Sequence, residues 1–428
     1  MGRGYIVEEA VEAYLSQLCG LTTGPVTGLL VGQSTVQRDF VVLASRTPQR
    51  DDSTPATLDS LDKEWITEHA RQVSRMLPGG LHILGVFIIT EGDAKDIQTS
   101  LRQLLHAVEN LVSSEHLWSP ADDDVTERIM LHVNRKTRKI VCKTFDVKDP
   151  KSMAKPADWK YQSGVCSSWS MVSCCLHVDL TVPLPDNSSD IEVLDTCLKG
   201  SLKAWAQQIE AGVVLFDGVK LLEDAEFMAG QKRNARQNYS AQLLIKPVDQ
   251  RSLEDVTQPC GGSLSLSGTI HSRAYVHNNK PKAKLVEKLL KRDLVSTLVT
   301  RVRMLVEELL ASEELSRGDS ERLCLPQRVF TPINTSGPLS VCDYQFSGED
   351  TTELTERLKE MLDINVTGED FDTSQEMAQV TLRTHTQELE EESASGQEQQ
   401  KSNYFGVAMA SVVALLATAI SVLYLNDV

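Results

Sequence analysis

Nucleophilic chemistry on this chain would start from a thiol. Gly164-Val165-Cys166-Ser167-Ser168-Trp169 places a cysteine among small residues, and His271 or His277 could serve as its base. Such a pair would make the chain a cysteine hydrolase. No residue stands out as an oxyanion donor, and a cysteine in a buried strand accounts for the same residues without chemistry. The remaining cysteines, at 19, 142, 174, 175, 197, 260, 324 and 342, bring the count to nine. That number is odd and no C-x-x-C pair occurs, which argues against a zinc ribbon and a secreted disulfide framework. Free thiols in a reducing compartment fit better. His82, His132 and His177 lie within apolar, strand-like runs and read as core side chains. H-E-x-x-H, G-x-x-x-x-G-K-[ST] and G-x-S-x-G are all missing. These residues predict no enzyme, no cofactor, no metal and no small-molecule substrate.

The elements that must position such residues form an α/β pattern. Residues 7–18 predict a helix with acids in its first turn, where they oppose the helix dipole. GLLVGQ (28–33) and DFVVLASRTP (39–48) read as strands, 61–76 as a helix ended by Pro78-Gly79-Gly80, and LHILGVFIIT (81–90) as a strand buried on both faces. A helix at 94–112 and a hairpin at 129–147 complete an α/β layer domain over residues 1–150. An α+β extension or second domain over 151–365 follows. Residues 159–185 are β-leaning, 191–212 helical, and 213–221, 239–247 and 263–277 strands. The long helix 282–310 carries the stripe Val286, Leu290, Leu294, Leu298, Val302, Leu305 and Leu309, which must pack on something. Strands near 328–331 and 339–346 and a helix at 352–363 end the folded part. Residues 366–403 are polar and acidic, with Glu388, Glu390, Glu391 and Glu392 in one run, and predict a solvated, disordered linker.

Two binding features stand apart from that pattern. Lys280, Lys282, Lys284, Lys288, Lys291 and Arg292 cluster at the start of the long helix, opposed by Glu287 and Asp293. On a chain of formal net charge −17 they could face an anionic membrane or an acidic partner, although a solvated helix face is the simpler account. The overall acidity excludes nucleic acid as a partner.

The second feature is the stretch 404–425, YFGVAMASVVALLATAISVLYL, which holds no charge. At ~1.5 Å per residue it covers roughly 33 Å, enough for a ~30 Å hydrocarbon core. Aromatic residues stand at both ends, and Phe405, Val412, Leu416, Ile420 and Leu423 are among its apolar anchor residues. Gly406, Ala410 and Ala414 fall at i, i+4 and i+8, a possible helix-association seam that the general richness in alanine also explains. The expectation is a tail anchor, inserted after synthesis, with the bulk of the chain in the cytosol. Lys401 before the span agrees with that orientation. The start, MGRGYIVEEA, has no apolar signal region, and Ile6 stands where myristoylation needs Ser or Thr. In the cytosol the sequons at Asn187, Asn238, Asn334 and Asn365 stay bare.

The first 150 residues resemble an MPN (JAMM-type) domain in glycine spacing and strand order. Gly85-Val86-Phe87 stands where that family has Gly-aromatic-aromatic, with one of the two aromatics present. In active members a glutamate lies three residues before the Gly-hydrophobic-Gly strand, and that position is Pro25 here. The family's H-x-H falls on Ile88 and Thr90, and its S-x-x-D on Gln98 and Leu101. The resemblance therefore implies an inactive JAMM-type fold without its zinc.

Over essentially its whole length the chain is similar to the odorant-response-abnormal protein 4 family. The carriers are GLLVGQ, LHILGVFIIT after Pro-Gly-Gly, the Cys/Ser/Trp-rich stretch near 164–175 and the single C-terminal span. This resemblance implies an endoplasmic-reticulum membrane protein that helps a subset of G-protein-coupled receptors to mature and traffic. It also implies partnership with the protease specific for the ubiquitin-fold modifier, which the anchor would hold at the membrane. The competing expectation is a membrane-tethered cysteine hydrolase using Cys166.

Overall fold

The computed structural model describes residues 3–21, 24–49, 62–149, 151–184, 191–228, 238–246, 262–311, 322–334 and 337–376. It opens on a strand that the helical reading of residues 7–18 overlooks. β1 (Gly4–Glu8) runs directly into α1 (Glu9–Leu21), with no turn residue between them to mark the change.

β2 (Val26–Ser34) lies antiparallel between β3 (Asp39–Arg46) and β4 (His82–Thr90). α2 (Lys63–Arg75) connects the latter two and is capped by Asp62, whose carboxylate accepts the Trp65 N–H at 3.0 Å. α3 (Ala94–Ser114) carries the chain to β5 (Glu127–Asn134), parallel to β4, and the expected hairpin returns as β6 (Ile140–Asp146). β7 (Lys155–Pro156) pairs with β6, and β8 (Asp158–Gln162) pairs with β1. The resulting eight-stranded order is β7-β6-β5-β4-β2-β3-β1-β8. Only Ala157 separates β7 at one edge from β8 at the other, and its N–H donates to the Cys142 carbonyl. The sheet must therefore curl until its two edges nearly meet.

Both faces of this sheet are covered. α1 packs Val11, Leu15 and Leu18 on one side against Tyr5, Leu30, Phe87 and Leu131, while α2 and α3 cover the other. Burial on two faces explains why β4 is apolar along nearly its whole length.

A 3-10 turn (Val165–Ser167) leads to β9 (Trp169–Leu184), α4 (Ile191–Ala211), β10 (Val213–Phe216), β11 (Asn238–Leu244), β12 (Gly262–His277), α5 (Ala283–Ala311) and β13 (Arg322–Cys324). These strands form a second sheet in the order β10-β11-β9-β12-β13, built on the long antiparallel pair β9 and β12. The stripe on α5 is buried from Val286 to Leu305, with Leu309 partly buried, but so are Asp293, Val295, Thr297, Val299, Thr300 and Arg301. α5 is thus covered well beyond a single stripe. The hairpin β14 (Gln327–Pro332) and β15 (Ser340–Gln345) precedes α6 (Thr351–Leu362), which returns to the first sheet. Leu358 and Leu362 enter its core, and the Met361 carbonyl accepts from Ser45 Oγ at 2.7 Å and meets His69 Nε2 at 2.8 Å.

The linker expected from residue 366 starts later than composition suggests. Residues 366–376 remain on the folded body. Asp372 exchanges backbone hydrogen bonds with Phe330, and the Glu376 side chain is buried. Val366 and Phe371 pack against the first core, and ion pairs of Asp372 and Glu376 hold the rest. The rest of the linker, the predicted anchor at 404–425 and its seam lie outside the described residues. Among the described residues no helix is long and apolar enough to cross a membrane.

Candidate functional site

The residues standing at the template's zinc-site positions fall at the start of β2, on β4 and on α3. Val26 pairs with Ile89, so Pro25 enters β2 beside the end of β4, where Ile88 and Thr90 sit buried. Leu101 is buried on α3, and the Gln98 amide oxygen one turn earlier accepts from Lys143. None of the five side chains carries a ligating nitrogen or a carboxylate. Arg135, in the β5–β6 turn, closes this end: its N–H donates to the Thr90 carbonyl at 2.9 Å and its guanidinium to the Gly24 carbonyl. His132 is the register partner of Ile88 and is buried, with no hydrogen-bond partner for either ring nitrogen among the described residues. Burial lowers its pKa and keeps it neutral. Among the described residues no three His, Cys, Asp or Glu side chains are grouped to hold a metal.

Cys166 is built into the structure as a packing residue. It is 1% exposed, and its N–H donates at 2.7 Å to Glu8, which also accepts the Gly164 N–H at 3.2 Å. Burial first, then the Glu8 charge, push the thiol up to about 12. A reactive cysteine needs the reverse, a thiolate stabilised by a nearby positive charge. Neither proposed base serves it. His271 stands opposite Cys175 in the β9–β12 register, and His277 opposite Trp169. The His277 ring stacks on Phe40 with centroids 3.6 Å apart. Of the other histidines, His82 is held at 3.3 Å from Ser34 Oγ, whereas His177 lies on an exposed face of β9 rather than in the core.

The basic cluster on α5 is largely engaged inside the molecule. Arg292 makes a bidentate pair with Asp124 at 3.0 and 2.8 Å, and Lys288 reaches Asp123 and Asp124. Lys291 binds Glu287 and the carbonyls of Glu210 and Gly212, and Lys282 pairs with Asp224. Lys280 and Lys284 are exposed. The positions are as expected from the sequence, but four of the six cations neutralise acids of the α3–β5 loop and the second sheet's surroundings.

The features that sequence reasoning missed are the joints. Gln33, the last residue of GLLVGQ, donates to the carbonyls of Gly80 at 2.9 Å and Tyr275 at 2.8 Å, and accepts the His277 N–H at 3.0 Å. Gly79 and Gly80 do more than end a helix. Gly79 exchanges backbone hydrogen bonds with Arg273 and Tyr275, and Gly80 adopts φ 86° with no room for a Cβ against the Tyr275 carbonyl. Beneath this seam Asp293 accepts from Arg328 at 2.8 and 3.0 Å, from Ser272 Oγ at 2.6 Å and from the N–H groups of Gly79 and Arg273. Burial opposes the Arg328 charge, and Asp293 overrides it, so the guanidinium stays protonated. Glu376 pairs with Arg301 at 2.6 Å and accepts the N–H groups of His271 and Arg328, fastening the end of the described chain. The only advance signal was a set of charged residues, Asp293, Arg301 and Arg328, inside apolar stretches.

A family model described as ODR4-like, odorant response abnormal 4-like, matches residues 28–373. A Homo sapiens protein named protein odr-4 homolog is 41% identical over a 458-residue alignment covering 100% of each chain. The Caenorhabditis elegans odorant response abnormal protein 4 is 21% identical over 327 residues, covering 74% of this chain and 67% of that one. The crystal structure of UfSP from C. elegans superposes with a TM-score of 0.46 at 9% identity, over 85% of this chain and 57% of the other. At that score the likeness fixes neither fold nor function.

Proposed function

We propose that this chain, which belongs to the ODR4-like family, is a non-catalytic, membrane-anchored adaptor. It supports the folding and trafficking of a subset of G-protein-coupled receptors. It also holds the protease specific for the ubiquitin-fold modifier at the endoplasmic reticulum, its own bulk facing the cytosol. The non-catalytic part is supported by Pro25, Ile88, Thr90, Gln98 and Leu101, which stand at the positions that the MPN resemblance assigns to zinc ligation and cannot hold or activate a metal-bound water. The domain is then a docking half rather than a hydrolase. The charge-free stretch 404–425 supplies the anchor, and confinement to a surface raises the effective concentration of a recruited partner without new contacts. The printed names of the relatives, which speak of an odorant response, agree with a receptor client.

The competing cysteine hydrolase loses its physical basis. A thiol pushed up to about 12 beside Glu8, with no imidazole directed at it, is a poor nucleophile at neutral pH.

The test is a pull-down from detergent extract that compares the full chain with one ending at Asn403. The adaptor reading expects a soluble protease and receptors to co-purify with the full chain, and the protease to remain bound to the shortened one in the cytosolic fraction. A protease that binds neither form sinks the recruiting role. Glycosylation at Asn238 or Asn365, both exposed, would place the body in the lumen and overturn the orientation.

A further inference from the structure

We infer that the seam between the two sheets holds a binding site for a carboxylate presented by an extended acidic segment of a protein partner. A cavity of about 230 Å³ lies where the end of β12 meets β1 and β3. That is below the roughly 300–1,000 Å³ of cofactor and drug-sized pockets, but at ~30 Å³ per water it has room for one side chain and its solvation. Ile6, Phe40 and Val165 give it an apolar wall, while Arg38, His277 and the amides of Gln162 and Asn279 supply polar groups.

Three observations give the site its sign. No aspartate or glutamate lines the cavity, although the chain carries 60 of them. The carboxylates beside its lining residues are taken up, Asp39 by Arg3 at 2.7 Å and Glu8 by the Gly164 and Cys166 N–H groups. Among the described residues the exposed Arg38 guanidinium makes no hydrogen bond or ion pair, and exposed Lys160 is the register partner of Ile6, which places a second cation near the rim.

His277 makes the site preorganised. Its ring is clamped between Phe40, stacked at 3.6 Å, and Trp169, edge-on at 5.4 Å, and its backbone N–H is tied to Gln33. Its Nδ1 is buried without a hydrogen-bond partner among the described residues. Burial and then Arg38 lower its pKa to about 4, so at neutral pH the ring is uncharged and can donate one hydrogen bond. A single guanidinium fork beside a neutral donor matches a planar carboxylate. Gln162 is the last residue of β8, an edge strand of the first sheet, so a peptide pairing along that edge would bring a side chain to the cavity.

The experiment uses the full chain in detergent micelles, labelled with ¹³C-histidine, with the His277 ring signal assigned by its loss in His277→Phe. Four blocked probes are titrated: N-acetylglutamate N-methylamide, its glutamine analogue, N-acetylalanine with a free carboxylate, and inorganic phosphate. We expect a saturable shift of the His277 signal with a carboxylate probe, weaker by about tenfold or more with the glutamine analogue and in Arg38→Ala. Arg38→Lys, which keeps the charge but not the fork, should fall between. The glutamate side chain should bind more tightly than the terminal carboxylate of N-acetylalanine, and the reverse order would overturn an acidic segment as the occupant. Equal shifts with the glutamine analogue, unchanged binding in Arg38→Ala, phosphate binding as tightly as the carboxylates, or no saturable shift would each overturn the inference.

Discussion

Charge is handled in opposite ways at two places in this molecule. At the end of β4, where the sequence resemblance would seat a zinc site, Ile88 and Leu101 are core residues. Beneath the seam, where no chemistry is expected, Asp293, Arg328, Arg301 and Glu376 are all buried and paired. The buried ionisable groups are found where elements far apart in sequence are joined. Buried ion pairs are not strong evidence of stability in themselves, but removing one partner of such a pair is costly. The difference indicates a protein whose first region presents a surface while the second fixes how the pieces sit.

The comparison breaks most easily at Asp293. Asp293→Ala leaves Arg328 buried and uncompensated and removes the carboxylate that accepts from Ser272 Oγ and the Arg273 N–H, so unfolding in denaturant should show a loss of about 3–5 kcal/mol. An effect under about 1 kcal/mol would mean that the network is not a structural joint.

Next comes pH. His69 is buried and held neutral, its pKa lowered to about 4 by burial, against about 6.5 in the unfolded chain. The unfolded state therefore binds the proton first as pH falls. Stability is complete above about pH 6.5 and declines toward pH 4 by about 3 kcal/mol from this group. His69→Gln should flatten that part of a pH series of melting curves, and an unchanged slope would contradict the assignment.

Glu376→Gln keeps the shape but removes the charge opposite Arg301. We expect about 2 kcal/mol, read as faster proteolytic removal of the chain after residue 370 with little change in the first sheet. The smallest effect belongs to the helix cluster. Lys288→Ala gives up partly exposed pairs with Asp123 and Asp124, about 0.5–1 kcal/mol, and this difference should fade in ~1 M salt.

Much of this architecture is legible in the sequence. Apolar runs mark β2, β3 and β4, and period-3.6 stripes mark α3 and α5, because burial on a regular element leaves a regular trace. β1 is hidden by its fusion to α1, and β7 and β13, at two and three residues, are too short to leave a pattern. The ordered segment 366–376 could not be read, since Asp372 and Glu376 find Arg273 and Arg301 across 99 and 75 residues of chain, and periodicity says nothing about such pairs. The residue types at the end of β4 are plain in the sequence. What closes that end is not, because Arg135 reaches it only through the β5–β6 turn.

The adaptor account is tested most directly by flotation of the full chain carrying Val412→Arg and Leu416→Arg. Each charge near the middle of a span costs about 2.5–3.5 kcal/mol on insertion scales. The account predicts that the substituted chain leaves the membrane fraction and that the ubiquitin-fold-modifier protease leaves with it, still bound. A substituted chain that stays on membranes, or a protease that stays there without it, would contradict the claim that residues 404–425 tether one protein in order to hold another.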